Sequence, residues 1–279
     1  MNRTPKISIV IPTAYQDKQR EANLQQLIAD IWAQSLVAGE IIIVRGSRPR
    51  TKAHNQGVKA ASGELIVFFD DDVRLGSPEI VKAMAEAFIG DSQLGIVGVR
   101  IVPARDSGRF QQACAKQLLR AHNMVAHAAL AIPKSLYEAV GGEDESLRLN
   151  DDAQLNFKIR AKKYQTSLLP PQFFIYHPEP ANLWILLKKY FAQGSNQAHD
   201  YKTNPDMIFN APISEQGEIK KSSVSGQLFR NLKILGQSLV TLKWLLILSR
   251  MATGLGFLVG YFNKISPVSV KGEVEIIKR

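Results

Sequence analysis

The stretch Leu65-Ile66-Val67-Phe68-Phe69-Asp70-Asp71-Asp72 decides the fold. Its first five residues form the continuous apolar run that is typical of a strand buried on both faces of a parallel sheet. The strand ends abruptly in three carboxylates, and in open α/β sheets ligands bind just beyond the carboxyl ends of the strands. Three adjacent acids repel one another unless a cation neutralises them. The run therefore predicts a divalent-metal site and the phosphates that such a metal carries, with a solvated surface loop as the alternative.

Segments with the periods of strands and helices alternate on both sides of this run. Short connections between them predict an α/β fold with a mostly parallel sheet flanked by helices. The predicted strands before and after the acidic one are Ile7–Ile11, Glu40–Val44, Gly95–Val102, Gln165–Leu169 and Phe173–Tyr176. The predicted helices are Glu21–Gln34, Thr51–Ala61, Pro78–Phe88, Pro133–Ala139 and Asp151–Lys163.

Composition limits the classes of function. The 279 residues include a single cysteine, Cys114, which excludes an internal disulfide and fits a reducing compartment. We expect Cys114 to be a small buried hydrophobic residue. The apolar stretch Ile7–Ile11 is too short for a signal peptide, so we expect no export.

The net charge is +10, and only 9 of the 25 acidic residues follow residue 150. No nucleic-acid-binding motif accompanies the basic excess, so an anionic lipid surface is the better partner and nucleic acid is not expected.

The last part of the chain is apolar and basic. Trp184–Phe191 has the pattern of an amphipathic helix. Leu239–Phe262 is long enough to span a membrane, but it contains Lys243 and Arg250, which disfavour a simple span. These two cations are seven residues apart and therefore lie near one face of a helix, which favours helices lying in a membrane interface. A soluble helical cap or an oligomer interface is the alternative. We predict a catalytic domain over residues 1–210 and a helical, membrane-associated region over 211–279.

Seven short motifs occur in order along the chain: Ile9–Thr13 with Tyr15, Ala53–Gly57, Ala60–Glu64, Asp70–Asp72, Val140–Gly142, Asn150–Leu155 and Tyr176–His177. Considered together, they resemble a family-2 glycosyltransferase with the GT-A fold, and the resemblance spans roughly Lys6–Glu179. Their order and spacing carry the resemblance more than any one of them.

The resemblance implies roles for individual residues. Asp70 would contact the donor ribose or the metal, and Asp72 would bind the metal, for which oxygen ligands favour Mg²⁺ or Mn²⁺. His177 would be a further metal or phosphate ligand, with a structural histidine as the alternative. Asp152 would be the general base, and Asp151 would orient it or serve as a helix-start acid. The donor-binding residues on this reading are Pro12, Thr13, Tyr15, Arg45, Lys52, Asn55, Asp70 and Asp71.

Three positions depart from the family pattern. Arg45 stands at the end of the second strand, where an acid commonly reads the nucleotide base, and it is a candidate for phosphate contact instead. His54 replaces a common arginine, with Lys52 as a substitute cation nearby. Gln154 stands where a second acid is frequent in the motif that carries the general base, Asn150–Leu155, which we call the base motif. These departures leave the identity of the donor open.

The resemblance implies a metal-dependent, inverting glycosyltransferase of hexosyltransferase type (EC 2.4). It would move a sugar from a nucleotide-sugar donor to a glycan or lipid-linked acceptor on the cytoplasmic side of a membrane, in cell-surface polysaccharide or glycolipid synthesis. The alternatives are a GT-A-like binding or scaffold protein, which Arg45 and Gln154 keep open, and a nucleotidyltransferase. The latter has no glycine- and arginine-rich loop here to support it. The sequence names neither the sugar nor the acceptor, and the oligomeric state stays open.

Overall fold

The computed structural model describes residues 3–14, 17–118, 125–149, 151–203, 243–263 and 269–278. The strands are β1 (Ile7–Thr13), β2 (Glu40–Arg45), β3 (Leu65–Phe69), β4 (Arg74–Leu75), β5 (Leu94–Gly98), β6 (Arg100–Pro103), β7 (Ala129–Pro133), β8 (Gln165–Leu168), β9 (Phe174–His177) and β10 (Glu273–Lys278). The helices are α1 (Lys18–Trp32), α2 (Arg50–Ala60), α3 (Ile80–Ala87), α4 (Arg109–Leu118), α5 (Lys134–Ala139), α6 (Asp151–Ala161), α7 (Leu183–Thr203) and α8 (Trp244–Phe262).

Seven strands form the central sheet, in the order β10-β2-β1-β3-β7-β5-β8. The predicted α/β class with helices on both sides of the sheet is confirmed. The sheet is more mixed than predicted, because β7 runs antiparallel to both β3 and β5, and β10 runs antiparallel to β2. Strand β7 was not predicted, since Ala129-Leu130-Ala131-Ile132-Pro133 is rich in alanine and ends in proline, both of which are depleted in strands.

Strands β1, β2 and β3 lie at the heart of the molecule and are buried on both faces. On one face, alternate side chains of the sheet pack against α1 and α3, including Leu24 and Met84. On the other face they pack against α2, α5 and α6, including Val58 and Leu155. This double burial explains why the three strands are continuous apolar runs. It also fixes the polar residues that follow β1 and β3 at one edge of the sheet.

A second sheet of three short strands has the order β4-β9-β6. The segment Gly95–Val102, predicted as one strand, divides at Val99 into β5 of the central sheet and β6 of the small one. Strand β9 pairs with β6 so that His177 lies opposite Pro103, and it pairs with β4 directly after the acidic run. The small sheet therefore brings His177 to the end of β3.

Helices α7 and α8 pack closely against each other. Helix α7 is 21 residues long and extends well beyond the predicted Trp184–Phe191. At the crossing, Gly194 approaches the backbone of α8, and Gly256 and Gly260 approach the backbone of α7. Helix α8 is long and apolar enough to cross a membrane, judged by length and composition alone. Cys114 is buried with Leu186 and Leu245 beneath this pair, as a small core hydrophobe.

The end of the described chain is not helical. Residues 273–278 form β10, which pairs with β2 along its whole length. The sequence pattern did not predict this edge strand. The predicted domain boundary between residues 210 and 211 falls outside the described residues, so the division into two regions stays a prediction.

Candidate active site

The acidic run follows β3 at the carboxyl edge of the sheet, beside the end of β1. Asp71 is buried there, and its carboxylate accepts a hydrogen bond of 2.5 Å from the Thr13 hydroxyl. Arg20 lies 3.5 Å from the same carboxylate. Burial raises the pKa of Asp71. Asp71 and Thr13, both predicted to bind the donor, are therefore bonded to each other, and Pro12 is buried within β1.

Asp70, Asp72 and His177 form a cluster of candidate metal ligands, which we call the metal-type cluster. One oxygen or nitrogen atom from each lies within 4.8 Å of the others, and all three side chains are partly exposed. Nε2 of His177 is 3.6 Å from Asp72 Oδ1. Nδ1 of His177 is 3.0 Å from the Pro178 carbonyl, which can only accept, so Nδ1 carries the hydrogen of that contact. The lone pair of a neutral ring then lies on Nε2, toward the acids, as in metal-binding histidines.

The donor set of this cluster suits a hard divalent cation. Two carboxylates and one imidazole at an open edge match Mg²⁺ or Mn²⁺ better than a softer ion, which favours thiolate ligands. The three predicted metal ligands are thus brought together from β9 and the end of β3. The metal itself stays a prediction.

Arg50, at the start of α2, joins this cluster to the base motif. Its Nε and Nη2 donate to the two oxygens of Asp151 at 2.8 and 2.9 Å, and its Nη1 lies 3.6 Å from Asp70. Asp151 is almost fully buried at the start of α6. Burial opposes ionisation of Asp151, but the Arg50 guanidinium outweighs it and holds the pKa of Asp151 below its ordinary value. Arg50 was not among the residues predicted from the sequence, because its partner is 101 positions away.

Asp152 is the next residue of α6 and has a different environment. Its side chain is half-buried, and Oδ1 accepts a hydrogen bond of 2.7 Å from the Ala153 N–H. Burial, followed by the negative charge of Asp151, raises the pKa of Asp152. Two adjacent carboxylates thus differ in character: one is ionised in a salt bridge, and the other has an increased affinity for a proton. Such a divergence is typical of acid–base sites.

The other predicted donor residues bind neighbouring parts of the protein. Arg45 forms ion pairs of 3.0 Å with Glu21 and 3.1 Å with Glu275 of β10. Lys52 donates to the Ser269 hydroxyl at 2.9 Å, outside the metal-type cluster.

Asn55 also has protein partners. Its Nδ2 donates to the Glu143 carbonyl, and its Oδ1 accepts from the Tyr137 hydroxyl. Tyr15, also predicted to bind the donor, lies outside the described residues. The structure therefore gathers the candidate metal ligands and the base residues at one edge, with Thr13 and Asp71 beside them. The predicted donor residues Arg45, Lys52 and Asn55 instead bind other protein groups.

Comparisons with known proteins agree with this architecture. Residues 10–104 match the model of the "Glycosyltransferase like family". The mannosyltransferase PcManGT from Pyrobaculum calidifontis, solved with GDP-Man and Mn²⁺, has a similar structure with a TM-score of 0.60 and 15% identity. That similarity covers 92% of this chain and 88% of PcManGT. GalNAc-T7, solved with UDP, GalNAc and Mn²⁺, is similar with a TM-score of 0.50 and 11% identity, over 73% of this chain and 52% of its own.

A relative in sequence is the uncharacterized protein y4gI of Sinorhizobium fredii (strain NBRC 101917 / NGR234). It is 23% identical over 234 aligned residues, which take in 65% of this chain. The chain matches about a quarter of the length of y4gI, since the alignment covers 25% of it. The predicted resemblance is confirmed by the matched segment and the shared architecture: this chain has the GT-A glycosyltransferase fold.

Proposed function

We propose that this protein is a metal-dependent glycosyltransferase that moves a hexosyl group from a nucleotide-sugar donor to a glycan or lipid-linked acceptor. The observation that carries the proposal is the bridge made by Arg50, which contacts the metal-type cluster through Asp70 and the base motif through Asp151. A nucleotide sugar needs both parts, because a cation must hold its diphosphate while a base receives the proton of the acceptor. The family match and the GT-A fold support the same assignment.

Asp70, Asp72 and His177 are the residues that would hold Mg²⁺ or Mn²⁺. When bound, such an ion supplies positive charge that stabilises a departing diphosphate. The protein contributes the position of the ligands: β3 ends at the two acids, and β9 presents His177 beside them. The contact between His177 Nδ1 and the Pro178 carbonyl keeps Nε2 directed at this place. The presence of Mn²⁺ in two structurally similar proteins supports the choice of ion.

Asp152 acts as the general base in this proposal. The oxygen of the acceptor hydroxyl forms a bond to the anomeric carbon while the bond from that carbon to the diphosphate oxygen breaks. The hydroxyl proton passes to Asp152, whose raised pKa strengthens it as a proton acceptor. Attack from the face opposite the leaving group inverts the configuration of the anomeric carbon.

Arg50 is the cation that we assign to the donor diphosphate. Its side chain is 42% exposed, although Asp151 holds two of its nitrogens. The exposed part of the guanidinium lies within reach of Asp70, at the place where phosphates would approach the metal ligands. Arginine is well suited to phosphate because its planar fork offers several donors. Asp151 would then serve to orient Arg50 rather than to accept a proton.

The acceptor side of the site is held by α7. Asp200 of this helix accepts hydrogen bonds of 2.8 and 3.1 Å from the backbone N–H groups of Arg148 and Leu149, which precede the base motif. His199 contacts the Ser146 carbonyl of the same loop at 3.2 Å. Helix α8 packs on α7, so the apolar helix pair and the loop before Asp151 form one continuous structure.

Large apolar side chains on α8 point away from the protein, and small residues face α7. The exposed set includes residues spaced one or two helical turns apart, namely Trp244, Met251, Leu255, Leu258 and Phe262, together with Val259 and Tyr261. Small residues inside and large apolar residues outside are typical of helices in contact with lipid. On this proposal the helix pair rests on the cytoplasmic side of a membrane and serves a lipid-linked acceptor, in polysaccharide or glycolipid synthesis.

The test is a panel of UDP-, GDP- and dTDP-linked sugars, incubated with the purified protein and Mn²⁺ or with EDTA. We expect one donor to release its nucleoside diphosphate with Mn²⁺ only. Asp152→Asn should lower that release by about 100-fold or more and keep the thermal stabilisation by the donor. Full activity of this variant would refute the base assignment. A panel in which no donor stabilises the protein or turns over would refute the transferase proposal.

A further inference from the structure

A buried cluster of three titratable residues lies behind the base motif. His54 is on α2, His127 lies two residues before β7, and Glu143 follows the turn at Gly141 and Gly142, both of which have positive φ. The Glu143 carboxylate lies 2.9 Å from His54 Nδ1 and 2.8 Å from His127 Nε2. All three side chains are excluded from solvent. The carboxylate therefore receives one imidazole N–H on each of its oxygens.

The surroundings of the cluster are largely apolar. The two imidazole rings stack with centroids 4.6 Å apart, and the edge of Phe68 meets both. A carboxylate buried in this way requires a positive partner, because an isolated buried charge is strongly unfavourable. Burial disfavours the charged form of His127, but Glu143 outweighs it and raises the pKa of His127 to about 9. One proton held by the imidazole pair makes the cluster neutral as a whole at pH 7.

Each segment that carries a member of the cluster is also bonded to α6. The Asp144 N–H donates to Gln154 Oε1 at 3.0 Å, beside Glu143. Asn156 exchanges hydrogen bonds with both backbone groups of Val125, two residues before His127. Helix α2, which carries His54, also provides Arg50 for the salt bridge to Asp151. The cluster thus fastens together three segments that hold the first turn of α6.

We propose that His54, Glu143 and His127 form a positioning unit, neutral as a whole, that fixes the first turn of α6 and with it the charge state of Asp152. This proposal rests on the proposed role of Asp152 as the base. The charged and titratable groups that surround the unit or interact with it electrostatically include Arg50, Tyr137, Asp151, Asp152 and Lys158. Positive charge on His127 favours the ionised carboxylate of Asp152, which is the form that accepts a proton.

The histidines are arranged for proton sharing rather than for a second metal. The remaining ring nitrogens, His54 Nε2 and His127 Nδ1, are buried and have no hydrogen-bond partner among the described residues. A metal-bound histidine normally gives its second nitrogen to a carbonyl or carboxylate, as His177 does with the Pro178 carbonyl. The near-parallel rings, at 15°, also direct their bonded nitrogens side by side toward two different oxygens.

The test compares wild-type protein with Glu143→Gln, a change that keeps the shape of the side chain and removes its charge. The matched control is Tyr137→Phe, which removes a part-buried hydrogen bond to Asn55 and a hydroxyl beside Glu143 without a change of charge. Carboxyl ¹³C and imidazole ¹⁵N NMR titrations report Asp152 and His127 directly, with Asp152→Asn for assignment. Both readouts are independent of turnover.

We expect His127 to be protonated at pH 7.5 in the wild type and neutral in Glu143→Gln. The Asp152 carboxyl should then titrate at higher pH in that variant, because the lost charge of His127 acts on Asp152 more strongly than the lost charge of Glu143 does, and should not move in Tyr137→Phe. His127→Gln, which leaves Glu143 bonded to His54, provides the same comparison for Asp152 if Glu143→Gln does not fold. In the turnover assay, the acidic limb of the pH–rate profile should move to higher pH in these variants. The Kd for the donor should stay within about twofold of the wild-type value.

Two results would overturn the positioning unit. The first is an Asp152 titration that is unchanged in both charge-altering variants, which would leave the cluster a structural role only. The second is stoichiometric zinc in the wild type that Glu143→Gln loses, which would make the cluster a metal site. Failure of the proposed function would look different: the NMR shifts would be as expected while no donor turned over in the wild type.

Discussion

Removal of the Arg50 guanidinium should destabilise the protein by an amount that depends on pH. In Arg50→Met the Asp151 carboxylate, with a side chain only 3% exposed, would lose both of its hydrogen bonds to the guanidinium. Breaking a fully buried ion pair by removal of one partner costs about 3–5 kcal/mol, and an exposed pair contributes about 0–1 kcal/mol. Because Arg50 is half-exposed, we expect an intermediate loss of about 2 kcal/mol in the free energy of unfolding at pH 7.

The sign of the pH dependence follows from the carboxylate. Arg50 holds the pKa of Asp151 below its unfolded value, against the opposing effect of burial. The stabilisation is therefore present above the unfolded value, which is about 4, and is lost as pH falls through the lower folded value. The difference between wild type and Arg50→Met should be largest at neutral pH and should shrink in acid, as Asp151 takes up a proton.

A double-mutant cycle measures this interaction. Urea unfolding of wild type, Arg50→Met, Asp151→Asn and the double variant should give a coupling energy of about 1–2 kcal/mol at pH 7. The matched control is Arg74 with Asp30, a forked pair of 2.6 and 2.8 Å in which Asp30 is 19% exposed. Its coupling should be about 0.5 kcal/mol. Additivity of Arg50→Met and Asp151→Asn within about 0.5 kcal/mol would refute the reasoning.

Three further predictions concern the base and the helix pair. The rate of transfer should fall as pH drops through the raised pKa of Asp152, and Asp152→Glu should alter this acidic limb; a rate independent of pH from 5 to 8 would contradict the assignment. Gly256→Ala should lower the free energy of unfolding by about 2 kcal/mol, because its Cβ would overlap the Phe191 carbonyl. Gly254→Ala, which faces open space, should raise it by up to about 1 kcal/mol, and equal effects of the two variants would contradict the close helix crossing. Leu255→Glu with Leu258→Glu should abolish flotation with anionic vesicles and leave the fold unchanged; unchanged flotation would exclude this face as the membrane contact.

Local patterns in the sequence predicted most of the central sheet. The run Leu65–Phe69 has the composition of a strand buried on both faces, and such a strand needs neighbours on each side. The acids that follow it could therefore be placed at the carboxyl edge. His177 was connected to them only through the resemblance to a known family. The periods that define helices and strands are local properties, and they indicate where an element lies but not which partner it takes.

The parts that could not be predicted depend on contacts between distant positions. Arg50 and Asp151 are 101 residues apart, and Arg45 meets Glu275 across 230 positions. No periodicity encodes such pairings. Asp70, Asp71 and Asp72 were also equivalent as sequence, although the structure buries Asp71 against Thr13 and leaves its neighbours partly exposed. The distinction depends on the backbone turn after β3, which three identical residues cannot reveal.

The most direct test of the central claim is calorimetric titration of the protein with nucleoside diphosphates. These compounds carry the part that all nucleotide-sugar donors share, so the sugar need not be known. UDP and GDP are titrated with Mn²⁺ and with EDTA, into wild type and into Asp72→Asn. The account predicts binding of at least one of them that requires Mn²⁺ and is weakened at least about tenfold in Asp72→Asn. Binding that is equal with EDTA, or equal in the variant, would contradict a metal and diphosphate site at Asp70, Asp72 and His177.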